Sequence, residues 1–315
     1  MVDRGLEPDF PPAASAQAAQ ATERPAMDAG VKDMRDLLWC SIDNDDSRDL
    51  DQLTVADEQR GGDVRVLVAV ADVDAIAGKD SPIDAHARTN TTSVYTPAQI
   101  FPMLPERLST DLTSLVADED RAAMVVEMLV GTDGIVRQSM IYRAVVRNRA
   151  KRAYNGVAAW LDGHAPAPAP LAAVPGLDQC LRLQDQIATA LRSERQARGA
   201  LTLASTESHA VFDGDVLMRL DPDEKNRAKT LIEDFMIAAN GAAASFLAGH
   251  GLSSMRRVLR APRRWDRLIA LAREFGVTLP DAPDAPALDR FLRARREANP
   301  EGFADLSLSV VKMLG

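Results

Sequence analysis

The sequence predicts a mixed α and β domain, with a central β-sheet flanked by helices, strands mostly in the first half and helices in the second. Nearly continuous β-branched runs occur before residue 150, whereas apolar residues at helical spacing dominate after residue 177. Hydrophobic residues make up 46% of the 315 residues and aromatic residues only 4%, so the predicted core consists of Leu, Val, Ile and Ala. This length favours one large domain plus a tail.

Strands are predicted at 37–42, at 53–56, at 64–71 (VRVLVAVA), and at 124–130 and 135–147 on either side of a Gly-rich turn. Helices are predicted at 177–198, 227–247, 264–275, 289–299 and 303–314, two of them ending at Gly199 and Gly276. The Pro/Ala stretches 165–175 and 280–286 indicate loops. Residues 1–35 are interpreted as an Ala/Pro-rich arm or linker, loosely packed over 8–29, and 36–315 as the folded domain.

The composition and the motifs argue against several classes of protein. No run approaches the ~18 uncharged apolar residues of a membrane span, and acidic residues interrupt the start where a signal peptide would lie. The two cysteines, Cys40 and Cys180, lack metal-site spacing, which indicates a reduced cytoplasmic setting and burial. The histidines also lack zinc spacing. Without a GxSxG elbow, P-loop or GxGxxG motif, a serine hydrolase or an enzyme with a nucleotide cofactor is not expected.

The net charge of −9 argues against a non-specific nucleic-acid binder, although a channel can be locally basic. Two clusters could line such a channel through phosphate contacts, or be solvated helix faces balanced by acids. The first cluster consists of Arg256, Arg257, Arg260, Arg263, Arg264 and Arg267. The second consists of Arg143, Arg147, Arg149, Lys151 and Arg152.

The segment 43–51 holds five aspartates in nine residues. Carboxylates this crowded repel one another unless a cation lies among them. If Asp49 and Asp51 enter the following strand, they share a face, and Asp43 can converge on the same point. That arrangement suits Mg²⁺. An acidic surface turn is the alternative, whereas a calcium loop fails at Arg48 and Thr54, where Gly and Glu belong.

Several motifs, in order, resemble the ribonuclease II (RNB) family. Asp43, then five residues, then Asp49-Leu50-Asp51 resembles its signature. The matching segments that follow are 68–73 (VAVADV), 92–95 (TSVY), 101–109 (FPMLPERLS), 112–115 (LTSL) and 231–240 (LIEDFMIAAN). The resemblance covers about residues 36–315.

The resemblance implies an RNB-type fold that hydrolyses single-stranded RNA from its 3′ end, largely independently of sequence, with Mg²⁺ or alternatively Mn²⁺ as cofactor. It assigns the metal to Asp43, Asp49, Asp51 and the position of Gln52, and catalysis chiefly to Asp51 with Asp49. It places Tyr95 where an aromatic ring stacks near the terminal nucleotides, although a core role is the alternative for this residue.

Three departures from the family pattern bear on activity. Gln52 replaces the fourth aspartate of the signature, which removes one negative charge from the metal site. The aromatic residue expected near Leu252 and Ser253 is absent. The sequence ends at Gly315, before the family's arginine-bearing segment, so we expect the domain to be C-terminally incomplete and part of a longer polypeptide. A catalytically weak or inactive RNA-binding module is therefore the alternative to an exoribonuclease.

Overall fold

The computed structural model describes residues 1–22, 30–96, 99–203, 207–214, 216–223, 225–256 and 262–314. Its strands are β1 (Lys32–Asp33), β2 (Cys40–Asp43), β3 (Gln52–Glu58), β4 (Val64–Ala71), β5 (Val94–Tyr95), β6 (Ile100–Phe101), β7 (Asp120–Val130), β8 (Val136–Arg147), β9 (Ala150–Ala153), β10 (Glu207–Asp213) and β11 (Val216–Asp223). Seven of them form one sheet in the order β1-β8-β7-β4-β3-β2-β9. Neighbours are antiparallel except for the β1–β8 and β2–β9 pairs, which are parallel.

The α-helices are α1 (Pro12–Gln20), α2 (Pro82–Asn90), α3 (Tyr154–Leu161), α4 (Ala169–Ala172), α5 (Leu177–Ala197), α6 (Arg227–Gly249), α7 (Trp265–Glu274), α8 (Ala285–Ala298) and α9 (Phe303–Leu314). Short 3₁₀ turns lie at Val2–Arg4 and Val73–Ala75, and a π-helical segment spans Arg107–Leu112. The predicted mixed α and β class with a central sheet is confirmed, as are the five long helices of the second half.

The sheet buries both of its faces. Side chains of β4 alternate between them, as the pleat requires. Val66 and Val68 pack in a cluster with α5 and α6, whose Phe235 is fully buried. Leu67 and Ala69 pack in a second cluster that includes Trp39 and residues around it. Burial on both sides explains why this strand is a continuous apolar run rather than an alternating one.

Helix α6 is the one described helix that is long and apolar enough to cross a membrane, by length and composition only. Core helices pass the same test, and α6 buries Leu231, Phe235 and Ala239 in the first core cluster. The helix therefore belongs to the core beside the sheet. Helices α7, α8 and α9 form a third cluster of their own.

Two predicted loops contain helix. Helix α8 begins at Ala285, inside the predicted loop 280–286, because the Asp284 side chain accepts a hydrogen bond from the Ala287 amide and caps the helix. Helix α4 lies within the predicted loop 165–175, with Leu171 buried in the core. The predicted strand 37–42 is shorter and later than expected, since β2 starts only at Cys40.

The N-terminal arm is not loosely packed over its whole length, which corrects the expectation for residues 12–20. Helix α1 buries Ala14 and Ala18 in a cluster with Ile83 and Leu108. These alanines are four apart and so share one face, and their small side chains let the helix approach closely. The Ile83 amide donates to Gln17 Oε1 at 2.9 Å, and the buried His86 contacts Glu7 at 3.1 Å. Alanine-rich composition concealed this interface.

Candidate active site

The acidic loop, residues 43–51, connects β2 to β3 at one edge of the sheet. Asp43 ends β2, whereas Asp49 and Asp51 both precede β3 and do not enter it as the sequence suggested. The main chain of Asp51 is nevertheless hydrogen-bonded to the neighbouring strand, because the Ala71 amide at the end of β4 donates to the Asp51 carbonyl at 3.0 Å. Asp51 thus extends the register of the β3–β4 pair by one residue, whereas Asp49 lies in the loop.

The segment after the π-helical turn holds the C-terminal half of the acidic loop. Ser114 Oγ accepts from the Leu50 amide at 2.9 Å and donates to the Arg48 carbonyl at 2.7 Å. The Leu115 amide donates to the Leu50 carbonyl at 2.9 Å. Leu50 itself is buried in the second core cluster. This anchoring directs the neighbouring Asp49 and Asp51 away from the core.

Asp51 has a strongly perturbed carboxyl group. Its pKa is raised from 3.8 to about 6, first because surrounding protein atoms remove water, and then because Asp49 and Asp43 repel its charge. The residue remains exposed to solvent. Both the loss of water and the repulsion by the two neighbouring carboxylates raise this pKa. Such a carboxylate favours a bound cation.

Tyr95 reaches the same site from β5. Its hydroxyl donates to Asp49 Oδ2 at 3.1 Å, across 46 residues of sequence. Partial burial raises the pKa of Tyr95, and the negative charge of Asp49 raises it further. The residue is nevertheless 65% exposed, so it is a surface aromatic and not a core residue. The structure thus brings the Tyr95 hydroxyl to the acidic loop.

Asp43 occupies the other end of the loop. Its Oδ1 accepts hydrogen bonds from the Asn44 amide at 2.7 Å and from Ser47 Oγ at 2.8 Å. Tyr154, the first residue of α3, has its pKa raised to about 12 by burial and then by the charge of Asp43. Sequence reasoning missed Tyr154, which lies more than a hundred residues from Asp43. The one sequence signal for this residue is its position shortly after Lys151 and Arg152 of β9.

The donor chemistry of this site fits a hard cation such as Mg²⁺, which takes carboxylates together with water and phosphate oxygens. As they stand, the described residues include no group of three or more His, Cys, Asp or Glu side chains positioned to hold a metal ion jointly. Gln52 opens β3 opposite Val70 and is half-buried. A cation here would therefore use some of the three carboxylates and complete its shell with other oxygens.

The two basic clusters differ in their surroundings. In the first, Arg256 donates to the Ala244 carbonyl at 2.9 Å near the end of α6, and Arg257 and Arg260 lie outside the described residues. In the second, Arg143 pairs with Asp72 and Asp74, and Arg147 pairs with Asp120. Arg152 is buried. Most of the second cluster is therefore engaged within the protein, as expected for a balanced surface and not for a free phosphate-binding channel.

The sequence of this chain is similar to those of known ribonucleases. Ribonuclease R of Escherichia coli K12 is 37% identical over 223 residues, which are 70% of this chain and 27% of that protein. Exoribonuclease 2 of Salmonella paratyphi B is 31% identical over 289 residues, 89% of this chain and 44% of that protein. The chain thus spans less than half the length of these curated relatives.

Among solved structures, Mycoplasma genitalium RNase R in complex with ribose-methylated single-stranded RNA superimposes with a TM-score of 0.89. It is 23% identical, and the match covers 100% of this chain and 49% of that one. This similarity confirms the RNB-type fold. The family model described as RNB domain matches residues 31–315. The chain therefore belongs to the RNB domain family.

Proposed function

We propose that this chain is the catalytic domain of a 3′→5′ exoribonuclease that hydrolyses single-stranded RNA and depends on Mg²⁺, with Mn²⁺ as an alternative. One observation carries the proposal: Asp43, Asp49 and Asp51 lie near one another on the acidic loop, where burial and then repulsion from Asp49 and Asp43 raise the pKa of Asp51 to about 6. Groups perturbed in this way by burial and by like charges are characteristic of active sites. The names of the curated relatives support the reaction class.

Asp43, Asp49 and Asp51 would hold the cation, with the amide oxygen of Gln52 as an additional neutral donor. A bound divalent ion supplies a Lewis acid that activates water and neutralises charge on the phosphate. Asp51 is the principal catalytic carboxylate, as the family resemblance implies and as its raised pKa supports. Asp49 assists it and is held by the hydroxyl of Tyr95.

The exposed ring of Tyr95 offers a stacking surface beside the carboxylates. Stacking requires an unpaired base and accepts any base, because each base has a π-face. This favours a single-stranded substrate and a largely sequence-independent reaction. Arg256, Arg257 and Arg260 are proposed as further RNA contacts, through the phosphates. The location we propose is the reducing cytoplasm, which suits two buried cysteines that form no disulfide.

A catalytically weak or inactive RNA-binding module is the second candidate. Gln52 favours it, because an amide in place of a carboxylate weakens the attraction for a cation. The lack of a ready-made group of three metal ligands among the described residues favours it as well. The two candidates share RNA binding and differ in metal-dependent turnover.

The test follows degradation of 5′-labelled single-stranded RNA by the purified protein, with Mg²⁺ or with EDTA. The exoribonuclease should shorten the RNA stepwise, only with the metal, and a 3′-terminal phosphate or hairpin should slow it. Asp51→Asn is the matched control for contaminating nucleases. Cleavage that persists in EDTA or in that variant, or internal cuts, would refute the proposal. RNA binding without turnover would establish the second candidate.

A further inference from the structure

The side chain of Lys151 contacts the acidic loop at the turn that follows β2. Lys151 lies on β9, which pairs in parallel with β2, so that Lys151 is next to Ser41. Its Nζ donates to the Asp45 carbonyl at 2.9 Å and to the Ser47 carbonyl at 2.6 Å. A residue more than a hundred positions away thus bridges two carbonyls within the turn that follows β2. Charge-assisted bonds of this kind are among the stronger hydrogen bonds in proteins.

The bridged turn leads directly to a candidate metal ligand. Ser47, whose carbonyl accepts from Lys151, donates its own hydroxyl to Asp43 Oδ1 at 2.8 Å. The Asn44 amide donates to the same oxygen at 2.7 Å. Asp43 Oδ1 is therefore fixed by two donors, while these contacts leave Oδ2 available. Groups that hold a ligand oxygen in this manner orient it toward a metal.

The choice of carbonyl acceptors has an electrostatic consequence. A lysine paired directly with Asp43, Asp49 or Asp51 would compete with the cation for the carboxylate charge. Lys151 instead binds main-chain oxygens, so it immobilises the loop and leaves those charges uncompensated.

We propose that Lys151 is the positioning residue of the acidic loop, acting on Asp43 through Ser47, and that it does not serve as an RNA phosphate contact. Two of its three N–H donors are engaged with the loop, and the residue is half-buried. Its assignment as a positioning residue rests on the proposed function, because it presumes that the loop binds a divalent cation. The bridging contact itself does not depend on that function.

The experiment compares Lys151→Met, Lys151→Arg and Lys312→Met in the full chain. Lys312 is an exposed lysine near the end of α9, so its replacement controls for the loss of one charge. Hydrogen–deuterium exchange of the 43–51 peptide without metal reports on the loop. Titration with Mn²⁺, followed by electron paramagnetic resonance, reports on the site. RNA affinity in EDTA over a salt series reports on phosphate contacts.

For Lys151→Met we expect faster exchange confined to residues 43–51 and about 10–100-fold weaker Mn²⁺ binding. Lys151→Arg, which can still donate to two carbonyls, should restore most of both, and Lys312→Met should match the wild type. RNA affinity and its salt slope should stay unchanged. Unchanged exchange and Mn²⁺ affinity would overturn the proposal, as would an RNA salt slope reduced by about one, the mark of a lost phosphate contact.

Ser47→Ala keeps the test decisive if Lys151→Met does not fold, because it removes only the hydroxyl bound to Asp43. It should weaken Mn²⁺ binding without altering amide exchange of residues 43–51, and unaltered Mn²⁺ affinity would overturn the relay from Lys151 through Ser47 to Asp43. Neither exchange nor Mn²⁺ binding requires RNA turnover. A wild type that is inactive on RNA but shows these effects would refute the proposed function and not the role of Lys151.

Discussion

Lowering the pH from 7 to 5 should weaken divalent-cation binding about tenfold, because Asp51 has a pKa of about 6 in place of the ordinary 3.8. A proton and a cation compete for the same carboxylate. The competition multiplies the apparent dissociation constant by one plus the ratio of protonated to ionised groups. That factor is about 11 at pH 5 and about 1.1 at pH 7 for a pKa of 6, but only about 1.06 at pH 5 for an ordinary aspartate. Binding is thus retained above pH 7 and lost as the pH falls through 6.

The assay is Mn²⁺ titration at intervals between pH 5 and pH 8, at low ionic strength so that salt does not screen the repulsion. Asp49→Asn is the informative variant. It removes one of the two charges that raise the pKa of Asp51, so the midpoint of the pH dependence should shift below 6, whatever the loss in absolute affinity. A dissociation constant that changes less than twofold between pH 5 and pH 7 would refute the reasoning, as would an unshifted midpoint in the variant.

Replacing Asp51 with Asn should lower the rate of RNA hydrolysis by at least about 10²-fold in single-turnover assays and leave RNA affinity nearly unchanged; parallel loss of affinity would indicate a structural role. Gln52→Asp adds an anionic donor and should lower the Mg²⁺ concentration for half-maximal activity, whereas an unchanged requirement would exclude this position from the site. In fluorescence titrations, Tyr95→Phe should keep the RNA affinity, whereas Tyr95→Ala should lose about 1–3 kcal/mol of binding free energy, because the ring and not the hydroxyl stacks. Equal losses in the two variants would contradict stacking. Phe235→Ala should cost about 3–5 kcal/mol of unfolding free energy in urea, against less than about 1 kcal/mol for the partly exposed Ile237→Ala, and similar costs would contradict the core assignment.

The spacing of apolar residues in the sequence predicted those strands and helices that bury their own large side chains in the core. The apolar run of β4 and the helical spacing in α6 are examples, since each fills the core with large side chains. Helix α1 was not predicted, because its buried face consists of alanines whose packing depends on Ile83 and Leu108, far along the chain. Strand β1 has only two residues, and its existence depends on the partner β8.

The candidate active site likewise has features that the sequence predicted and features that it did not. The crowding of carboxylates in the acidic loop was evident from sequence, and its effect on the Asp51 pKa agrees with that prediction. The placement of Asp49 and Asp51 before β3 was not evident, because it follows from the hydrogen bonds that Ser114 makes to the loop. From sequence, Lys151 was interpreted as a possible RNA contact or as part of a solvated helix face balanced by acids. Its actual partners are main-chain oxygens, which a sequence motif does not display.

The buried cysteines make the protein convenient for site-specific labelling. Burial raises the pKa of the Cys40 thiol to about 12, and it also raises the pKa of Cys180. Since the thiolate is the reactive form and only on the order of 10⁻⁵ of the Cys40 thiol is ionised at neutral pH, its reaction with a maleimide would be slow even if the reagent could enter. A single cysteine introduced at an exposed position such as Lys312 would then carry the fluorophore alone, with both native cysteines retained in their packed positions.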